Sequence, residues 1–116
     1  MVEFIDNYNP PLNYKPMKEE KKTYTFNENQ VLARAHEYIS TTYNKHYAQG
    51  NIQATEFINA NGLGEGFCLG NIIKYVQRYG KKGKNYKDRE RDLFKIIHYA
   101  VILLHELEQT EGKGKF

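Results

Sequence analysis

At 116 residues, 40% apolar and 27% charged, the chain is sized for one domain with a modest core. A formal net charge of +3 is too mild to favour nucleic acid as a partner, and no window approaches the roughly 20 apolar residues of a membrane span. A lone cysteine, Cys68, cannot form an intramolecular disulfide, which fits a reducing cytoplasm.

The charge is unevenly spread. Between Lys74 and Lys95 nine Lys/Arg stand against three acids, a net of +6, so the rest of the chain is slightly acidic. Such a patch focuses its field on one place. Ten tyrosines and no tryptophan give flat rings with polar tips, suited to surfaces that pack and hydrogen-bond together.

Residues 1–27 read as an extended N-terminal arm. Asn9-Pro10-Pro11 and Lys15-Pro16 forbid a helix there. Phe4, Ile5, Tyr8, Leu12, Tyr14 and Met17 are nevertheless apolar enough to lie over the body or over a neighbouring subunit; the plainer alternative is a solvated tail. Met1-Val2-Glu3-Phe4-Ile5-Asp6 carries an early acid and no basic region, unlike a secretory signal.

A helix is predicted over about 28–43, capped by Asn27 or Asn29, with Val31, Leu32, Ala35, Tyr38, Ile39 and Thr42 at helical spacing. Asn44 to Asn51 reads as a polar loop, and a shorter helix follows over about 52–61, with Ile52, Phe57 and Ile58 as its apolar contacts. Gly62-Leu63-Gly64-Glu65-Gly66 reads as a flexible connection. The next helix, over 66–79, segregates sharply at 100° per residue: Leu69, Ile72, Ile73 and Val76 form an apolar stripe expected to be buried. Asn71, Lys74, Tyr75, Arg78 and Lys82 gather on its other side. The longest helix is predicted over about 88–109, with a core stripe of Leu93, Ile96, Ile97, Ala100, Leu104 and Leu107. Residues 110–116 should fray. With no period-two strand pattern, the expected fold is all-α: about four helices over 28–109 with a central antiparallel hairpin.

On the longest helix Asp88, Asp92, Lys95, Tyr99 and Glu106 share one narrow sector away from the core stripe. If the hairpin's polar edges border one groove, Asn71, Lys74 and Arg78 face Asp92, Lys95 and Tyr99. Two outcomes are open: a ladder of salt bridges, Lys74 or Arg78 with Asp92, or a phosphate-binding groove. In the second, Arg78 grips a phosphate bidentately and the lysines act as point charges. His46, Tyr47 and Gln49 form a further polar cluster, readable as base contacts or as a tied-down turn, and Glu56 is placed to face the same groove. Gly80-Lys81-Lys82-Gly83-Lys84 lacks the spacing and preceding strand of a Walker A loop. Gly62-x-Gly64-x-Gly66 is not a dinucleotide fingerprint. No metal-ligand spacing links the histidines.

Taken together, His46-Tyr47-x-Gln49-Gly50, Gly66-Phe67-Cys68-Leu69-Gly70-Asn71-x-x-Lys74-Tyr75-x-x-Arg78-x-Gly80-x-Lys82-Gly83 and Asp92-Leu93-x-Lys95-x-x-x-Tyr99 resemble a small phage-encoded nucleotide kinase family, that of the phage T7 nucleotide kinase. The resemblance covers about residues 44–108. It implies a cytoplasmic protein of the infected bacterial host, a homo-oligomer, acting on deoxynucleoside monophosphates without a Walker loop. It implies a nucleotide ligand and, as cofactor, Mg2+ with a nucleoside triphosphate. Asp92, Lys74 and Arg78 are then the expected catalytic residues. His46, Tyr47, Gln49, Asn71, Lys74, Arg78, Lys81, Lys82, Lys95 and Tyr99 are the expected substrate contacts. The alternative is a non-catalytic sponge that sequesters cyclic or modified nucleotide signals of host antiphage immunity, which needs only a cationic pocket.

Overall fold

The chain forms four α-helices in a computed structural model that describes residues 23–44 and 48–112: α1 (Glu28–Asn44), α2 (Ala48–Ala60), α3 (Gly64–Arg78) and α4 (Tyr86–Leu107), with a π-helical turn over Glu108–Gly112. No strand occurs among the described residues, so the fold is a small all-α domain. None of the described helices is long and apolar enough to cross a membrane. The arm expected over residues 1–22 and the last residues, 113–116, lie outside the described residues.

Local chemistry sets the helix ends. Asn27 adopts φ 60°, a left-handed conformation that Asn tolerates, and its carbonyl accepts from Val31 N–H at 3.0 Å. Gly62, at φ 78°, closes α2: its N–H donates to Asn59 and that of Leu63 to Ile58, the paired bonds of a glycine C-cap. Asn85 caps α4, its side-chain oxygen accepting the Asp88 N–H at 2.8 Å. From Tyr86 to Leu107 neither Gly nor Pro interrupts, which lets α4 run 22 residues.

Two starts differ from the sequence reading. The polar stretch before residue 52 is already helical from Ala48, because Gln and Asn carry no bar to helix and Gly50 costs only about 1 kcal/mol. The glycine-rich connection is shorter than expected, since α3 begins at Gly64. There a Cβ would strike the Asn59 side chain and meet Glu106 Cγ at 3.4 Å. Glycine at position 64 leaves room for the Asn59 side chain of α2, which a Cβ would displace.

The most extensive packing is the antiparallel α3–α4 hairpin, as expected. Gly64 at the start of α3 meets Glu106 near the end of α4, while Phe67 and Tyr75 both reach Tyr99, with ring centres 5.8 and 6.3 Å apart. α1 joins α4 through Tyr38 on Phe94, at 5.4 Å between ring centres, and through Arg34–Glu90 at 3.7 Å.

The inner face of α3 is the opposite of the one its apolar stripe suggests. Gly64, Cys68 and Tyr75 are buried and Phe67, Asn71 and Arg78 half-buried, whereas Leu69, Ile73 and Val76 are exposed and only Ile72 is partly covered. The same holds on α4: Leu93, Leu104 and Leu107 are exposed, and Ile96, Ile97 and Ala100 are half-buried. Phe57 and Leu32, expected as core contacts, are exposed too. The physical reason lies in shape. Gly64 and Cys68 let α4 approach closely, and the large Tyr75 and Phe67 rings then fill the space against Tyr99. The buried apolar core is therefore thin: Ala35, Cys68, Tyr75 and Phe94.

Candidate anion-binding cluster and its groove

Burial of Tyr75 makes its ring a platform. Lys74 Nζ lies 4.7 Å from the ring centre and the Arg78 guanidinium carbon 5.2 Å, both from α3. Lys95 reaches the same ring from α4, at 5.7 Å, and lies 5.8 Å from the Tyr38 ring on α1. Cation–π attraction of about 0.5–2 kcal/mol each draws the three cations to one place. No Asp or Glu among the described residues comes within 4.0 Å of any of them, so the positive charge is not neutralised there. Arg78 Nε is buried and lacks a hydrogen-bond acceptor.

The expected ladder of Lys74 or Arg78 with Asp92 is thus not formed. Asp92 is the buried charged residue of α4, 7% exposed, one turn before Lys95 on the helix face that meets α3. The ion pairs that do form near the start of α4 are Arg34–Glu90, Lys87–Glu90 and Arg91–Asp88.

The environment tunes the groups at the cluster. Burial pulls the Lys95 ammonium down, but the Tyr38 hydroxyl and the phenols of Tyr75 and Tyr99 outweigh it and leave Lys95 above its ordinary value. Burial, reinforced by the neighbouring Tyr75 phenol, pushes Tyr99 up against the opposing effect of Lys95. At neutral pH the pair is therefore an ammonium beside a neutral phenol, both hydrogen-bond donors. Burial, then the Lys95 charge, pushes His98 below its ordinary value, so its imidazole is neutral. Cys68 is a packed thiol pushed up by burial and by Glu106.

Lys95, Tyr38 and Tyr99 also border a groove of about 920 Å3 between α1, α2 and α4, where Glu56, Arg91 and His98 line the wall. Its size suits a small molecule. Most of its lining side chains are polar, Glu56 and Glu106 among them, and Ile39, Ile52 and Ile102 supply apolar wall.

Of the residues expected at the site, Lys74, Arg78, Lys95 and Tyr99 come together. Asn71 is half-buried, with its amide donating to the Phe67 carbonyl of its own helix at 2.9 Å. Lys81 and Lys82 sit exposed on the α3–α4 turn, away from the Tyr75 ring. His46 and Tyr47 lie outside the described residues, and Gln49 is described only as part of the first turn of α2. Tyr75 and Tyr38 were missed as site residues. The signal for Tyr75 was its place between Lys74 and Arg78; Tyr38 gave none, being one apolar-spaced ring among others.

A family model described as a protein of unknown function (DUF3310) matches residues 41–101, more than half of the chain. The chain belongs to the DUF3310 family. The match takes in the cluster, from Lys74 and Tyr75 to Lys95 and Tyr99, together with the groove wall from Thr41 to Val101. No curated protein and no solved structure matches the chain.

Proposed function

We propose that this DUF3310 protein is a phage-encoded nucleotide-binding protein of deoxynucleoside monophosphate kinase type. The observation that carries the reading is the gathering of Lys74, Arg78 and Lys95 on the Tyr75 ring with no acid paired to them among the described residues. Three cations without a counter-charge, one with a buried unsatisfied Nε, call for an anion that supplies both charge and acceptors. A phosphate does so, and a nucleoside attached to it has the adjoining groove to enter, with Tyr38 and Tyr99 as ring surfaces.

Phosphoryl transfer asks a protein mainly for positioning and charge neutralisation. In this reading Arg78 and Lys74 hold the transferring phosphate, and Lys95 spans cluster and groove to orient the acceptor. Asp92, buried and without an ion pair among the described residues, fits a Mg2+ taken mainly through phosphate oxygens. The metal, when bound with a nucleoside triphosphate, neutralises the phosphate charge. The likeness to phage nucleotide kinases supports the reading and brings with it the bacterial cytoplasm and a homo-oligomer.

Incubating the purified protein with dGMP or dTMP, Mg2+ and a nucleoside triphosphate tests it: diphosphate formation above background is expected. The sequestration reading draws on the same cluster: Lys74, Arg78 and Lys95 on the Tyr75 ring suffice to hold an anion without any chemistry on it. Tight calorimetric binding with the nucleotide recovered unchanged would replace the kinase by the sponge.

A further inference from the structure

The aliphatic side chains that the fold leaves outside are not scattered. On α3 they are Leu69, Ile73 and Val76; on α4, Leu93, Leu104 and Leu107, all between 44% and 66% exposed, while Val101 of α4 is exposed on the groove side. At about 100° per residue, the α3 stripe lies a little over a quarter-turn from the line through Cys68 and Tyr75 that faces α4. The α4 stripe lies a comparable angle, in the same chain sense, from the line through Asp92 and Tyr99 that faces α3. Because the helices are antiparallel, equal rotations in chain sense bring both stripes to one side of the hairpin. That side is opposite the groove, and half-buried Ile72 and Ile96 fill it between the stripes.

We propose that this face is where a second copy of the chain docks, the two α3–α4 hairpins packing across a twofold axis. Three features select a copy of itself. First, the face carries one acid and one base, Glu65 and Arg89, and so no net charge, which suits the self-complementarity that an isologous interface needs. Secondly, its six exposed side chains present roughly 600 Å2 of apolar surface, at the upper limit for a monomer and close to the roughly 800 Å2 per partner of a standard interface. Thirdly, Gly66 and Gly70 border the α3 stripe within the helix, and a Cβ at either would meet nothing within 4 Å. Nothing among the described residues requires glycine there. A helix of a second copy approaching along α3 does.

The dimer adds what the thin core lacks. The buried apolar core among the described residues is small, and joining two hairpins completes a four-helix layer with aliphatic side chains at its centre. The clusters about Tyr75 and the grooves stay on the outer sides of the pair, so the interface stands apart from the nucleotide reading.

Sedimentation equilibrium of the full chain tests it, comparing the native protein with the double variant Ile73→Asp with Leu104→Asp and, separately, with Phe4→Asp with Ile5→Asp in the arm. The native protein and the arm variant are expected at twice the chain mass or a multiple of it, and the face variant at the mass of one chain or at half the native assembly. A monomeric native protein overturns the proposal. So does a face variant that keeps its helicity and its full assembly. An arm variant that dissociates overturns it too, by giving the face to the arm. If the face variant does not fold, the native protein decides: its melting temperature must rise by roughly 3 °C per tenfold increase in concentration. A concentration-independent value overturns the proposal.

Discussion

Lys95 holds its ammonium 5.7 Å from the centre of the Tyr75 ring, so a charge on α4 rests on a π face supplied by α3. The contact ties the hairpin to the anion-binding cluster, because the ring that receives Lys95 also receives Lys74 and Arg78. Tyr75 and Tyr99 lie nearly parallel, 17° apart, which keeps the platform flat. In the proposed reading, stability and binding separate by residue: the ring carries packing, and the cations would hold the ligand.

Lys95→Met keeps the aliphatic stem and removes the charge. Nucleotide binding is expected to weaken by about 1–3 kcal/mol, roughly 5- to 150-fold in Kd, as for loss of a charge-assisted contact. Melting temperature should fall slightly, since the Tyr38, Tyr75 and Tyr99 side chains favour the ammonium in the folded state. Calorimetric titration and a thermal melt check both arms; a large fall in stability with unchanged affinity would make Lys95 structural.

Arg78→Ala is expected to weaken binding by a similar 1–3 kcal/mol and barely to change stability, because no carboxylate among the described residues is left unpaired by its removal. Titration against a deoxynucleoside monophosphate reads the first, and urea denaturation the second.

Tyr75→Ala removes a ring that is 8% exposed and packed on Tyr99, and about 3–5 kcal/mol of stability should go with it. Tyr75→Phe keeps the ring and should cost less than about 1.5 kcal/mol. Chemical denaturation of both variants checks the contrast, which a solvated tyrosine would not show.

Gly64→Ala should destabilise by about 1–3 kcal/mol, since its Cβ would strike Asn59 and crowd Glu106. The midpoint of urea unfolding measures it. A neutral result would mean that α2 and α4 yield at this point.

His98 gives the pH dependence a sign. Its folded-state pKa lies below the ordinary 6.5, first through burial and then through Lys95. Between that depressed value and 6.5 the unfolded chain binds more protons, so stability rises with pH across this window and is lost as the pH falls through it. Melting temperature should decline on acidification from pH 7 toward 5, and His98→Gln should flatten the part of that slope due to His98.

How much was legible in the sequence follows from what periodicity encodes. The spacing of apolar residues, the Asn27 cap and the breaks at Gly62 and Gly80 are local, and they determined the four helices and the antiparallel hairpin. They also placed Lys74, Arg78, Lys95 and Tyr99 within reach of one another, because neighbouring helices joined by a short turn share an edge.

Periodicity gives angles around each helix axis and leaves open which angle points inward. The aliphatic stripes of α3 and α4 read as core because they are the most hydrophobic, yet the fold turns Cys68 and Tyr75 inward and leaves Ile73 and Leu104 outside. That choice depends on shape between helices: the room at Gly64, and the fit of Tyr75 and Phe67 against Tyr99. Only the tertiary structure decides it, because close packing is a property of pairs of surfaces, whereas hydrophobicity is a property of single residues.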